Sequence, residues 1–298
     1  MLTFNVIHDE DLAKVDRILM TAYDNPQSFL PRLARLRCLQ PDGWLVAAED
    51  GGSVLGTGGV TVMGKTGYIG LVAVNPPAQR RGIATRVMNR LLEIAALHGC
   101  TTVLLDASDA GRPVYERLNF VTDDLVGIWK RDKGAAPPAL TATPGISVST
   151  LAAENTRRAT SGAALPAELL AFDAAVWGDD RTNVLTSFAG DDPSRVAFAR
   201  DSAGALLGYA IMQGGTGVIG PWVAMDPDAA RTLLSWATGL AAVYPEIAYL
   251  PSGNVQGAAL LDEAGFVRTR QLAHMRLGMQ LPHSQRQWVY SQANLALG

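Results

Sequence analysis

The chain has 298 residues, 48% of them apolar, enough for two domains with a core each. Its 25 Lys plus Arg against 28 Asp plus Glu leave a formal net charge of −3, so no global basic field exists to hold nucleic acid or an anionic membrane, and a small anion is the better-matched ligand. Two cysteines without a CxxC pair, a start (MLTFNVIHDEDLAK) lacking a basic n-region and an apolar h-region, and no apolar run of about 18 residues predict a reduced, cytoplasmic protein without a membrane span.

Residues 46–76 read as strand, turn, strand, turn, strand, with strands over 54–63 and 67–74 whose Val, Ile, Leu and small residues suit a buried central sheet. Within them Gly59-Val-Thr-Val-Met-Gly64-Lys65-Thr66 matches the phosphate-loop pattern GxxxxGK[ST] letter for letter. Its β-branched interior and the strand that follows contradict that context, and Gly64-Lys65-Thr66-Gly67 is better read as a hairpin turn. Next, Ile83, Val87, Leu91, Ile94 and Ala95 form one stripe of a helix over Ile83–His98, with Gly99 placed as a left-handed C-cap. Gln79-Arg80-Arg81-Gly82-Ile83-Ala84 lies between the strand ending at Val74 and this helix. Main-chain N–H groups at a helix N-terminus bind phosphate oxygens, Gly82 and the small Ala84 let the ligand come close, and Arg80 and Arg81 add charge-assisted contacts. The alternative is an exposed basic turn that merely starts an amphipathic helix. A short strand, Val103–Asp106, and a helix ending in Leu118-Asn119-Phe120 complete the half.

The Ala-, Pro- and Thr-rich stretch RDKGAAPPALTATPGISVS (131–149) predicts a linker over 133–145, separating domains at 1–132 and 146–282 and leaving a tail at 283–298. Residues 196–227 repeat the plan of the first half. Gly217-Val218-Ile219-Gly220 falls opposite Gly67-Tyr68-Ile69-Gly70, and a strand at Ile247–Leu250 and a helix ending in Ala264-Gly265-Phe266 follow, so an internal duplication is the economical account. Gly215-Thr-Gly217-Val-Ile-Gly220 imitates a dinucleotide fingerprint, yet Pro221-Trp222-Val223 continues as strand and offers no helix N-terminus. The second half lacks the Gln-x-x-Gly-x-Ala segment after Met225-Asp226-Pro227 and has Leu261 opposite Tyr115. The tail QWVYSQANLALG is apolar enough to dock, with no legible place for it. His8, His98, His274 and His283 are scattered without metal-ligand spacing, and no metal site is expected.

VAVNPPAQRRGIATRVMNRLL resembles the acyl-CoA motif of the GNAT superfamily of N-acyltransferases, which runs Gln or Arg, two residues, Gly, one residue, then Gly or Ala. LLDASDAGRPVYERLNF resembles the superfamily's following strand and helix, with Asn119 in place of the usual Gly; Asn tolerates the left-handed region. LLAFDAAVWGDDR, GVIGPWVAMDP and NVQGAALLDEAGF resemble the C-terminal domain of a bacterial tandem-GNAT group. The resemblance implies an α/β fold (an α+β mixed sheet) made twice as two tandem GNAT-like domains. It implies strands at 70–74 and 103–106 that splay apart so that the first pairs with pantetheine. Acetyl-CoA would be held by Leu71, Val72, Ala73, Val74, Gln79, Arg80, Arg81, Gly82, Ile83, Ala84 and Thr85, with an N–H near Val72 or Ala73 facing the oxyanion and Tyr115 protonating the thiolate.

No base is identifiable, because SVLGTGGVTVMGKTGYIGLVAV contains neither Asp nor Glu. Asp24 in AYDNP, Asp106 at a strand end, Asp173 from the second half, or a water chain could serve, and Trp177 could wall an acceptor pocket. Each has a plainer reading: a loop carboxylate or cap for the aspartates, a core aromatic for Trp177 and Tyr115. The expected activity is acetyl transfer to a small-molecule or peptide amine at one site in the first half. The rival is a non-catalytic acyl-CoA sensor whose second half transmits occupancy. Neither the acceptor nor the oligomeric state is legible.

Overall fold

A computed structural model describes residues 2–7, 9–134, 137–158, 164–240, 244–281 and 284–298. His8 and His283, and 135–136 of the expected linker, lie outside the described residues. The first half builds β1 (Thr3–Val6), α1 (Leu12–Ala22), α2 (Leu30–Cys38), β2 (Gly43–Asp50), β3 (Ser53–Met63), β4 (Thr66–Val74), α3 (Ile83–Leu97), β5 (Thr102–Ala107) and α4 (Arg112–Glu116), followed by β6 (Val121–Lys130). The second half builds β7 (Ser147–Thr150), α5 (Leu151–Arg158), α6 (Ala167–Trp177), α7 (Thr182–Ala189), β8 (Val196–Arg200), β9 (Leu206–Met212), β10 (Ile219–Ala224), α8 (Pro227–Thr238), β11 (Ile247–Pro251), α9 (Val255–Glu263), β12 (Val267–Gly278) and β13 (Val289–Ser291).

The chain divides into two compact units: 1–122 with 275–280 and 297, and 123–274 with 281–296 and 298. In unit 1 the strands lie in the order β1-β2-β3-β4-β5, antiparallel except for the parallel β4–β5 pair. The glycines of β3 set the distance of the helices. A Cβ on Gly58 would stand 2.8 Å from Leu91 and 2.9 Å from Val87 of α3, and one on Gly59 would strike Leu36 of α2. Consecutive strand residues point to opposite faces, so bare positions at 58 and 59 let a helix close on each. The apolar stripe of α3 is buried as its period predicts, Gly99 adopts φ +74°, and Met63 pairs with Thr66 across the Gly64-Lys65 turn. The phosphate-loop pattern is therefore strand, turn and strand.

In unit 2 the strands run β7-β8-β9-β10-β13, with a further ladder of β12, β6 and β11. The linear division at 132 does not coincide with these units. β6 goes with the second because Val126–Lys130 pair antiparallel with Ile247–Pro251. Conversely, Met275–Gln280 belongs to unit 1, where Thr102 Oγ1 donates to the Met279 carbonyl (2.8 Å) and Met279 N–H to the Thr101 carbonyl (3.1 Å). Each unit is thus completed by a segment from the other half of the sequence. Linker residues are anchored on α8, where Thr143 N–H donates to Thr232 Oγ1 at 3.0 Å and Ser235 Oγ to the Leu140 carbonyl at 2.7 Å. The tail, unplaced by sequence, enters the sheet as β13.

Matching hydrogen bonds recur in the two units, as a duplication requires. Gly111 N–H donates to Ser108 Oγ (3.2 Å) where Gly257 N–H donates to Asn254 Oδ1 (2.7 Å), and Phe120 N–H reaches the Tyr115 carbonyl (3.0 Å) where Phe266 N–H reaches that of Leu261 (2.9 Å). Between the latter pairs stand Asn119 at φ +65° and Gly265 at φ +80°, so Asn does preserve the turn. Among the described residues, no helix is long and apolar enough to cross a membrane.

Candidate functional site

β4 and β5 pair only from Thr66↔Thr102 to Ile69↔Leu105, although β4 continues to Val74 and β5 to Ala107. The cause lies on the other side of β4. Gly59 pairs with Gly70 and Thr57 with Ala73, so Leu71 and Val72 together oppose Gly58 alone, and Leu71 takes φ +57°. Such a bulge bends the strand and re-aims its main chain, and a leucine in the left-handed region is a local strain that the surrounding sheet must hold. Beyond Ile69 the β5-facing main chain of β4 therefore borders a wedge-shaped cleft.

Tyr23, just past α1, donates from its hydroxyl to the Val72 carbonyl at 2.8 Å. Reasoning from sequence does not reach this residue, and nothing in its neighbourhood but the Asp-Asn-Pro turn marks it. The contact brings the loop of Asp24, which is exposed and at φ +47°, to the bulge. Asp106 stands near the end of β5, past the parting point, and accepts from the buried Tyr68 hydroxyl at 2.8 Å.

At the other end of the cleft, Asn75–Gly82 lead from β4 into α3. Gly82 is the N-cap at φ +73°, Arg80 takes φ +61°, and Gln79 Nε2 donates back to the Val74 carbonyl at 3.2 Å. The left-handed φ at 82 favours glycine, and a Cβ there would meet nothing of the chain within 4 Å. The i,i−4 ladder of α3 opens with Arg86 N–H donating to the Gly82 carbonyl (3.2 Å), which leaves the N–H groups of Ile83, Ala84 and Thr85 directed beyond the helix start. Arg80 and Arg81 are exposed beside them. Unpaired N–H groups at a helix start beside two exposed guanidinium groups are an arrangement that can receive an anion.

Tyr115 on α4 is 9% exposed and stacks edge-on with Phe120 at 6.1 Å. Its ring and hydroxyl lie against Gly111, where a Cβ would stand 3.0 Å from Cε2 and 3.4 Å from the oxygen. Burial pushes its pKa up to about 12. The side chain is thus both a packed aromatic and a neutral, protonated hydroxyl.

Asp173 and Trp177 belong to α6 of unit 2, and their surroundings correct the sequence expectation. Arg181 donates to both oxygens of Asp173 at 2.8 Å, the Tyr209 hydroxyl donates to Asp173 as well, and Asp173 and Arg181 are 1% exposed. A carboxylate held this way completes a buried ion pair and is closed to an incoming ammonium. Burial opposes the charge on Arg181, but Asp173 and Tyr209 outweigh it and hold the guanidinium protonated. Trp177 is buried with the Arg181 guanidinium 5.3 Å from its ring centre, the plainer of its two readings.

Comparison with known proteins places each half. Residues 12–120 match the model of the "Acetyltransferase (GNAT) family" and residues 169–291 that of an "Acetyltransferase (GNAT) domain". A probable glucosamine 6-phosphate N-acetyltransferase of Oryza sativa is 35% identical over 104 residues, 31% of this chain and 63% of that protein. The chain spans just under two thirds of the length of the curated relatives it matches. Among solved structures, a putative acetyltransferase of Pyrococcus horikoshii superposes with a TM-score of 0.82 at 24% identity over 100% of this chain and 96% of that one. A tandem GNAT protein of the clavulanic acid biosynthesis pathway gives 0.59 at 16% identity over 93% and 98%.

Proposed function

We propose for this chain, which belongs to the GNAT superfamily of acetyltransferases and carries two such domains in tandem, the transfer of an acetyl group from acetyl-CoA to a primary amine at one site, in unit 1. The observation that carries the reading is the parting of β4 from β5 after Ile69, with the Gly82 turn following β4 and α4, which bears Tyr115, following β5. Acetyl-CoA supplies an activated thioester and a pyrophosphate. Ile83, Ala84 and Thr85 receive the phosphate oxygens through their N–H groups, and Arg80 and Arg81 offset the charge. The main chain of Leu71–Val74 pairs with the pantetheine amides as a missing strand would.

The amine nitrogen attacks the thioester carbon, and the N–H at Val72 or Ala73 stabilises the oxyanion. As the C–S bond breaks, Tyr115 gives its proton to the departing sulfur and regains one from the aqueous medium. The excess proton on nitrogen leaves to water, directly or through Asp24 or Asp106, the carboxylates that stand on the Tyr23 loop and at the end of β5. The curated relatives make an amino-sugar phosphate the first acceptor to try. Thiol release from acetyl-CoA over a panel of amines that includes glucosamine 6-phosphate tests the reading. Turnover with at least one amine is expected, and tight CoA binding without release above the hydrolytic background would overturn it in favour of an acyl-CoA sensor.

A further inference from the structure

Unit 2 carries the same cleft as unit 1, and the chain itself fills it. In the β9–β10 pair, Ile219 lies opposite Met212 and Trp222 opposite Ala210, so Gly220 and Pro221 oppose Ile211 alone. The bulge of β4 thus recurs in β10, within one residue of the position that the match of Gly220 to Gly70 gives it. β10 and β11 meet at the single bridge Val218↔Ile247 and then part, as β4 and β5 part after Ile69. Trp222 and Val223, the residues just past the bulge, accordingly stand where Ala73 and Val74 stand in unit 1.

Both arms of this second wedge are bonded to the tail. β13 pairs antiparallel with β10 through Trp222↔Ser291 and Val223↔Val289. On the β11 side, Gln292 N–H donates to the Tyr249 carbonyl at 2.9 Å, and Tyr249 N–H donates to Ser291 Oγ at 2.9 Å. Gln213 Nε2 donates to the carbonyls of Gly220 (2.7 Å) and Ala293 (2.6 Å), tying tail and bulge together. Asn254, the N-cap of α9, also donates to the Val289 carbonyl at 3.1 Å. The Tyr290 ring rests on Trp222, 5.0 Å between centres, and Val289, Tyr290, Ser291, Gln292, Ala293 and Asn294 are all buried.

We propose that residues 289–294 are the resident occupant of the second domain's acyl-donor cleft, a strand of the chain's own backbone in place of pantetheine. The inference rests on the assignment of the β4–β5 cleft of unit 1 to the acyl donor. An extended peptide presents amide donors and acceptors to an unpaired strand edge as pantetheine's amides do, so a bulged strand inherited from a cofactor-binding ancestor is a ready acceptor for one. Apolar anchoring by Val289 and Tyr290 then makes the occupant permanent. The loss is also complete at the phosphate end. Asn75–Gly82 of unit 1 are replaced by Met225 and Asp226 alone, and Asp226 Oδ1 already accepts from Asp228 N–H at 2.8 Å.

Amide hydrogen exchange on the whole protein, with and without CoA, tests this. Residues 219–224 and 289–292 should exchange at least about 100-fold more slowly than exposed loop amides in the free protein, and CoA should leave them unchanged while slowing 70–74. Fast exchange at 289–292 in the free protein, or acceleration there on adding CoA, would overturn the proposal, the second outcome by making the tail a displaceable gate. A failure of CoA to slow 70–74 speaks against the site in unit 1, whereas the tail is still decided by its protection in the free protein. Ser291→Pro, which removes an N–H from β13, should speed exchange at 219–224 without creating a second CoA site. Appearance of that site would reduce the tail to a removable plug. If the variant does not fold, the exchange pattern of the unaltered chain decides.

Discussion

The Tyr23 hydroxyl donates to the Val72 carbonyl across 2.8 Å, joining the end of α1 to the two-residue bulge that turns β4 away from β5. The bulge holds Leu71 at φ +57°, and a strained turn persists only while its surroundings over-determine it. Tyr23→Phe keeps the ring contact with Phe29, 5.6 Å between centres, and removes the bond to Val72. We expect CoA affinity to hold within about twofold and kcat to fall about 3- to 10-fold, in keeping with the ~1 kcal/mol of one neutral hydrogen bond. Steady-state kinetics with a competent amine, beside CoA titration, checks it. An unchanged kcat would make Tyr23 a passive lid.

Gly82→Asp should abolish CoA binding while the protein stays folded. The residue sits at φ +73°, a Cβ there would have nothing of the chain within 4 Å, and aspartate is among the residues that tolerate this conformation. What it adds is a carboxylate at the mouth of the N–H groups of α3. Calorimetry showing unchanged affinity, with thermal unfolding as the folding control, would sink the phosphate assignment.

Tyr115→Phe should retain CoA binding and lower kcat by roughly 10- to 1000-fold, the range of losing a proton donor. Burial raises its pKa to about 12, so the donor keeps its proton below that value and is lost only as pH rises through it. The kcat profile should accordingly show no alkaline decline from this group up to about pH 10. A decline near pH 9 that the Phe variant abolishes would contradict the burial that the structure gives Tyr115.

Features set by local period and turn chemistry were legible in the sequence: the stripe of α3, the hairpin at Gly64-Lys65, and the Asn119 turn whose left-handed φ needs Gly or Asn. Pairings between distant segments were not. A strand edge offers the same N–H and C=O groups whatever its side chains, so neither the seat of β13 on β10 nor the placement of β6 against β11 has a short-range signature. Tyr23 and Val72 are likewise 49 residues apart. Asp173 is an intermediate case. Its isolation in LLAFDAAVW signals burial, and a buried carboxylate calls for a partner, which Arg181 supplies from just beyond the end of α6.

That pair yields a prediction opposite to a catalytic role. Asp173→Asn leaves the Arg181 guanidinium buried without its counter-charge, and breaking a buried pair by removing one partner costs about 3–5 kcal/mol. Denaturant unfolding should show a loss of that order in unit 2, while folded protein below the transition binds CoA with unaltered affinity. Unchanged stability with lost turnover would return Asp173 to the acceptor site.

Each chain should bind a single CoA despite its two copies of the fold. A pyrophosphate leaving water must find replacements for its lost hydration, and among the described helices only α3 begins with a glycine turn flanked by two exposed arginines. At the corresponding start of α8, Asp226 and Asp228 put carboxylates where the anion would lie, and Pro227 lacks an N–H. Like charges there repel the ligand even before its pantetheine meets the cleft, whose β10 edge is already paired with Val289 and Ser291. These obstacles act on different parts of the molecule, so restoring one does not restore binding. Titration of the whole protein should saturate at one equivalent, and Gly82→Asp should bring it to none. Two equivalents of similar affinity would mean that β13 yields to the cofactor and that α8 accepts a phosphate against its own carboxylates, and the division of labour between the halves would then fail.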